Sequence, residues 1–299
     1  MKSDHVLCLN SKSFHRMHYV EWGDPAAERV VICVHGLTRN GRDFDTLAQA
    51  LAQDFRVICP DVAGRGLSDW LPAREDYGYP QYCADMTSLI ARVTTPSAAR
   101  GVLGRLFHGG RSRPRRLYWV GTSMGGIIGM LLASRAGNPI DKLVVNDVGA
   151  IVPRAALERI AQYVGKDLRF KTFEDLEAML RLVLAPFGAL ADAQWRHIAE
   201  TASKQHEDGS WGMRYDPAIG FAFRGPFGDV DLWQFWDAIA CPTLLLRGAQ
   251  SDLLLKDTAD AMTRRGPRPR LVEFEGVGHA PPLMVEDQIR AVREFLMES

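Results

Sequence analysis

The stretch that decides the fold is Leu117-Tyr118-Trp119-Val120-Gly121-Thr122-Ser123-Met124-Gly125-Gly126-Ile127-Ile128-Gly129-Met130. A short apolar and aromatic run of strand character leads into it, and an apolar helical run leads out. Between them stands Gly121-Thr122-Ser123-Met124-Gly125, a G-x-S-x-G pattern. A strand that turns at once into a helix needs small neighbours, so that the backbone can fold tightly. Such a turn exposes the serine hydroxyl at the carboxyl end of a sheet. The N-terminus of the following helix adds a positive end for developing negative charge. Ser123 therefore reads as a nucleophile rather than as a structural serine in a tight turn.

Outward from this turn the chain alternates between two periods. Val30-Val31-Ile32-Cys33-Val34 is a continuous apolar run, as expected of a strand buried on both faces. Residues 43–53 carry Phe44, Leu47, Ala48 and Leu51 at helical spacing. Strand runs follow at Phe55 to Cys59 and Lys142 to Asn146, with helical patterns at Tyr79 to Val93 and Met124 to Arg135. An earlier strand is read at Met17 to Trp22. This β-α-β alternation predicts an α/β fold with a mostly parallel sheet flanked by helices. The pattern lapses from Ile151 to about Asp237, where only helical segments such as Pro153 to Val164 and Phe173 to Leu184 stand out. It returns with a strand at Pro242 to Arg247, a helix from Lys256, a strand at Arg270 to Phe274 and a helix from Met284 to Met297. The organisation expected is one core domain in two parts, residues 1–150 and 238–299, with a helical insertion at 151–237.

Composition narrows the function. The 299 residues are 46% apolar and 24% charged, ordinary values for a globular chain that buries a large core. Lys plus Arg and Asp plus Glu number 36 each, for a net charge of zero. That balance argues against a general nucleic-acid or membrane-surface binder, both of which need a basic excess. The 5 cysteines form no C-x-x-C pair, so zinc and dithiol chemistry have no support. Cys33, Cys59 and Cys241 lie in or beside strand-like runs, where a thiol acts as a small hydrophobe. No run approaches the ~20 apolar residues of a membrane span, and the first dozen residues show no signal-peptide pattern. A cytoplasmic, soluble protein is expected. Residues 94–116 hold six arginines, with Gly109-Gly110 between them; they read as a solvated surface excursion.

A serine nucleophile needs a base, because its hydroxyl is weak at neutral pH. Of 8 histidines, His279 stands out in Gly276-Val277-Gly278-His279-Ala280-Pro281-Pro282, on a loop between the last strand and the last helix. The base needs an orienting carboxylate. Asp252 lies on the loop beyond the strand around Leu244 to Leu246, and Ser123, Asp252 and His279 follow the expected chain order. Asp147 also follows a strand and competes; it is read here as a structural residue capping the loop into the insertion. The oxyanion needs preorganised donors. They are expected from the backbone N–H groups of Met124 and of Leu37, the latter on the loop His35-Gly36-Leu37-Thr38-Arg39-Asn40-Gly41. His35 is read as a buried structural histidine.

These pieces together resemble the alpha/beta-hydrolase superfamily, in its serine-esterase branch with a helical cap. The resemblance rests on His35-Gly36, on Asp61-Val62-Ala63-Gly64-Arg65-Gly66-Leu67-Ser68-Asp69, on Gly121 to Gly126, on Arg247 to Asp252 and on Gly278-His279. The serine departs from the aspartate nucleophile of the family's epoxide hydrolases and haloalkane dehalogenases. The resemblance implies an alpha/beta-hydrolase fold, with residues 151–237 as the cap. Trp195, Trp211, Tyr215, Phe221, Phe223, Phe227, Trp233, Phe235 and Trp236 should mostly pack that cap, a few lining an apolar acyl or aromatic pocket. His206, Arg39, Arg65 and Arg224 are candidates to meet a substrate carboxylate. The expected activity is hydrolysis of small carboxylic esters through an acyl-enzyme, with no metal or organic cofactor implied. Carbon–carbon bond hydrolysis of ring-fission diketones, to which Asn40 near the oxyanion loop and the arginines also point, is the alternative.

Overall fold

Eight strands form the main sheet of the computed structural model, which describes residues 1–95 and 115–298. They are β1 (Lys2–Leu9), β2 (Phe14–Trp22), β3 (Arg29–Val34), β4 (Arg56–Pro60), β5 (Arg116–Thr122), β6 (Ile140–Asn146) and, after five short strands elsewhere, β12 (Thr243–Gly248) and β13 (Arg270–Phe274). The spatial order is β1-β2-β4-β3-β5-β6-β12-β13. The pairs β1/β2 and β2/β4 are antiparallel, and every later pair is parallel. The fold is thus the α/β architecture expected, with an antiparallel hairpin added at one edge. Strand β1 escapes the sequence reading because, as half of an edge hairpin, it buries only Val6 and Cys8 firmly.

The apolar runs of the parallel strands are continuous because both faces are covered. Val30, Ile32 and Val34 of β3 join Trp119, Leu143, Val145 and Leu245 on one face, under the helices Tyr79–Thr94 and Met124–Ala133. Val31 and Cys33 join Tyr118, Val120, Val144, Leu244 and Leu246 on the other, under the helices Asp45–Leu51 and Glu286–Met297. Cys33 and Cys59 are free thiols packed wholly inside. Because β3, β5, β6, β12 and β13 run parallel, the loops after them all emerge at one edge of the sheet, where ligands of open α/β sheets bind.

Residues 151–237 add no strand to this sheet. They contain the helices Arg154–Ala161, Phe173–Val183, Asp192–Ala202 and Trp233–Asp237. They also contain strands that the sequence pattern did not reveal: β7 (Ile151–Val152), β8 (Arg169–Phe170), β9 (Ser203–Gln205), β10 (Trp211–Met213) and β11 (Val230–Asp231). At two or three residues each, these are too short to show an alternation. Strands β7 and β11 pair antiparallel and so tie the two ends of the insertion together at its neck. The sheet β8-β10-β9 stiffens its interior. Within the arginine-rich stretch 94–116, residues 96–114 lie outside the described residues.

Candidate active site

Ser123 stands between β5 and the helix Met124–Ala133 at φ 52 and ψ −116, a left-handed conformation rare for any residue but glycine. The glycines around it explain how the turn is held. A Cβ on Gly121 would stand 2.2 Å from the Gly125 carbonyl oxygen, and one on Gly125 would stand 2.0 Å from that of Val34. No side chain fits at either place. The turn is pinned by Ser123 N–H donating to the Asn146 carbonyl at 2.9 Å, and by Gly126 N–H donating to the Ser123 carbonyl at 2.8 Å. Met124 opens the helix, so its N–H belongs to the first turn, which has no intrahelical acceptor.

His279 arrives on the loop after β13. Its Nε2 lies 3.0 Å from Ser123 Oγ, and its Nδ1 lies 2.7 Å from Asp147 Oδ2. The carboxylate partner fixes the tautomer: Nδ1–H donates to Asp147, which leaves Nε2 to accept from the serine. The His279 loop is held by Gly278 N–H donating to the Pro186 carbonyl of the insertion at 2.7 Å, and by Gln250 N–H donating to the Val277 carbonyl at 2.9 Å.

The expectation for Asp252 fails on this geometry. Asp147, the first residue after β6, is fully buried at φ 55. Its Oδ1 accepts from Gly248 N–H at 2.9 Å, and its Oδ2 accepts from Ser251 Oγ–H at 2.7 Å as well as from His279. Three donors thus hold the carboxylate aimed at the imidazole. The last residue of β12 and the loop after it supply two of those donors instead of the acid. Asp252, the next residue, turns outward; it is half exposed and forms a bidentate pair with Arg159 of the insertion at 2.6 and 2.9 Å. Chain order could not separate the two, since Ser123, Asp147, His279 is the same order. Strands β6 and β12 are sheet neighbours, so their loops leave side by side. The usable signal was proximity. Asp147 follows its strand at once, whereas Asp252 lies four residues beyond the end of β12.

Ser123 and His279 open into a cavity of about 660 Å³. The loop after β3, with Gly36, Leu37 and Arg39, forms one wall. The insertion forms another, through Arg159, Tyr163, Leu182, Pro186 and Phe187. The wall is therefore mainly apolar, as small-molecule sites are.

Residues 31–295 match the family model described as the alpha/beta hydrolase family. The chain belongs to the alpha/beta hydrolase family. A 3-hydroxybutyrate-oligomer hydrolase from Cupriavidus necator is 44% identical, over 97% of this chain and 96% of that one. An esterase from Mycobacterium tuberculosis is 28% identical, over 93% and 84%. A solved alpha/beta hydrolase from Novosphingobium aromaticivorans superposes with a TM-score of 0.81 at 34% identity, covering 99% and 97%.

The remaining candidates of this alpha/beta hydrolase divide sharply. His35 is buried, its Nδ1–H donating to the Gly36 carbonyl at 2.7 Å and its Nε2 accepting from Val62 N–H at 2.9 Å. Burial, which outweighs the nearby Asp61, pushes it down to about 4, so it is neutral and structural. Arg65 is fully buried and does not line this cavity. Its Nε donates to the Leu37 carbonyl at 2.9 Å, its Nη1 to the Ala63 carbonyl at 2.7 Å and to Tyr82 Oη at 3.0 Å, and its Nη2 meets Met124 Sδ at 3.7 Å. His206 and Arg224 do not line the cavity either. Arg39 does. Asn40 has no spare polar atom on its side chain: Nδ2 donates to the Thr201 carbonyl and Oδ1 accepts from Arg42 N–H. The nine aromatic residues from Trp195 to Trp236 were expected mostly to pack the insertion, with a few lining the pocket, and none of them lines it; Tyr163 and Phe187, which the sequence reading passed over, take that place.

Proposed function

We propose that the protein is a serine esterase that cleaves short carboxylic esters through an acyl-enzyme on Ser123. The observation that carries this reading is the hydrogen-bonded chain Ser123–His279–Asp147 opening into a 660 Å³ cavity. His279 Nε2 takes the serine proton as Oγ attacks the ester carbonyl. Asp147 holds the imidazole in the required tautomer and stabilises the imidazolium. The N–H groups of Met124 and Leu37 hold the tetrahedral oxyanion. His279 then passes the proton to the leaving alcohol and afterwards activates a water that releases the acid. Residues 151–237 act as the lid, since they wall the cavity and grip the His279 loop through Pro186. The resemblance to the 3-hydroxybutyrate-oligomer hydrolase along almost the whole chain supports short hydroxyacid oligoesters as the substrate class. Asn40, one support of the diketone alternative, is committed to structural hydrogen bonds.

The test is a steady-state panel of p-nitrophenyl esters from acetyl to decanoyl, run beside the 3-hydroxybutyrate dimer and trimer. Hydrolysis should fall off at the longer acyl chains, and Ser123→Ala should lower kcat by about five to six orders of magnitude. A Ser123→Ala protein that keeps most of its activity overturns the assignment.

A further inference from the structure

Among the described residues, one group of side chains able to ligate a metal comes together away from the active site: Cys8, His15 and Asp85. Their ligating atoms all lie within 4.8 Å of one another. Cys8 of β1 and His15 of β2 stand directly opposite each other across the edge hairpin, so their side chains leave the same face. Asp85 comes from the helix Tyr79–Thr94, which packs on that hairpin. All three are buried, with 3% exposure at most, and none lines the cavity. Sequence spacing hides such a set, because its members come from three separate elements.

The hydrogen bonds of this cluster are incomplete. A core histidine normally satisfies both ring nitrogens, as His35 does. His15 satisfies one: its Nε2 lies 3.0 Å from Asp85 Oδ2, and its buried Nδ1 has no partner. The Cys8 thiol reaches only the carbonyls of Val6 and Asp85, at 3.9 and 4.0 Å. Asp85 is oriented from behind. Gln81 Nε2 donates to its Oδ1 at 2.6 Å and to the Leu9 carbonyl at 3.1 Å, which leaves Oδ2 turned toward His15. A carboxylate that ligates a metal is commonly held by such a neighbour.

We infer that Cys8 Sγ, His15 Nε2 and Asp85 Oδ2 bind a zinc-class transition metal, which clips the edge hairpin to the helix Tyr79–Thr94. A thiolate, an imidazole and a carboxylate together suit zinc, whereas magnesium and calcium take oxygen ligands. The charges match as well. Thiolate and carboxylate bring two negative charges, so a dication leaves the buried cluster neutral. The spacing is also right. Bonds of about 2.0 Å to Nε2 and Oδ2 span their 3.0 Å separation at an angle of about 97°, so a small shift reaches tetrahedral geometry. The metal takes the place of the proton between Nε2 and Oδ2 and releases that of the thiol. A water takes the fourth position, as in other three-ligand zinc sites. Strand β1 gains most from such a clip, since it buries only Val6 and Cys8 firmly. None of this rests on the esterase reading.

The experiment titrates cobalt(II) into the intact chain after treatment with a chelator. One equivalent should produce the near-ultraviolet thiolate-to-cobalt charge-transfer band and the intense visible bands of a tetrahedral site, and zinc should remove both. Zinc at a hundredfold excess over its Kd should raise the melting temperature by about 5 °C, and magnesium at the same concentration should not. Cys8→Ala should abolish the charge-transfer band, and Asp85→Asn should weaken cobalt binding at least tenfold. Cys83→Ser, which alters the half-buried thiol of the same helix, should change neither. Far-UV circular dichroism checks that each variant is folded. The titration of the parent protein decides the matter even if a variant is not: no saturable band at one equivalent overturns the inference. So does a band that survives Cys8→Ala or disappears in Cys83→Ser, because the metal then sits elsewhere.

Discussion

Asp147 and Asp252 lie on adjacent loops of one sheet edge, yet their surroundings are opposite. Asp147 has no exposure and three donors, one of them His279. Asp252 has solvent and an arginine. Replacing Asp147 by asparagine removes the charge that balances the imidazolium and permits the wrong tautomer. We expect kcat to fall by about four orders of magnitude, with KM little changed. Asp252→Asn breaks only an exposed pair and should change kcat/KM by less than about fivefold. Steady-state kinetics on one p-nitrophenyl ester decides the matter, and the reverse ranking returns the acid to Asp252. At this scale the sequence was legible where a residue type is chemically irreplaceable. Ser123 and His279 could be chosen from their local patterns alone. The carboxylate could not, because two aspartates satisfy the same order and only packing determines which one turns inward. Arg39 was visible as a candidate, but its bidentate pair with Asp43 depends on where that carboxylate points, and no spacing rule gives that.

The elements around Ser123 are held by missing side chains as much as by present ones. Gly125 has the Val34 carbonyl oxygen where a methyl group would go, so β3 and the helix Met124–Ala133 approach as closely as backbones can. Gly125→Ala must push those elements apart and should cost about 3 kcal/mol or more of stability. Gly228→Ala, where a Cβ would meet nothing within 4 Å, should be neutral. Urea denaturation followed by tryptophan fluorescence compares them, and similar midpoints would refute the close-packing account. Arg65 joins the elements on the other side of the site, touching the Leu37 carbonyl, Met124 Sδ and Tyr82 Oη together. Arg65→Lys keeps the charge but loses the planar fork. It should lower kcat at least tenfold, with a smaller effect on KM, by loosening both proposed oxyanion donors; a change in KM alone would contradict that. The parallel strands were readable because burial on both faces makes them continuous apolar runs. The edge strand β1 and the two- and three-residue strands of the insertion were not, since their pairing is set by contacts distant in sequence. The cavity aromatics were missed for the same reason. Trp236 and Trp195 are large enough to draw attention, but Trp236 is wholly buried, with its indole N–H directed at the carbonyls of Met262 and Arg265.

For the whole molecule the consequence of this packing is a pH limit on stability. His35 lies at the contact of the loop after β3 with the segment that follows β4, and both ring nitrogens are engaged in its neutral form. Burial lowers it to about 4, from an ordinary value of 6.5. In the unfolded chain the imidazole regains the ordinary value. Between these two values the unfolded state therefore binds more protons than the folded state, and stability rises with pH. The contribution is complete above 6.5 and is lost as pH falls toward 4. The greatest slope from this one group is about 1.4 kcal/mol per pH unit. His35→Asn can still donate to the Gly36 carbonyl or accept from Val62, but it does not titrate. It should cost about 1–3 kcal/mol at pH 7 through imperfect geometry. Its stability should then fall less steeply than that of the parent protein between pH 6.5 and 4.5, so that the gap between the two narrows on acidification. Urea titrations at three pH values measure that gap, and one that stays constant or widens would show that the neutral buried imidazole is not what acid attacks.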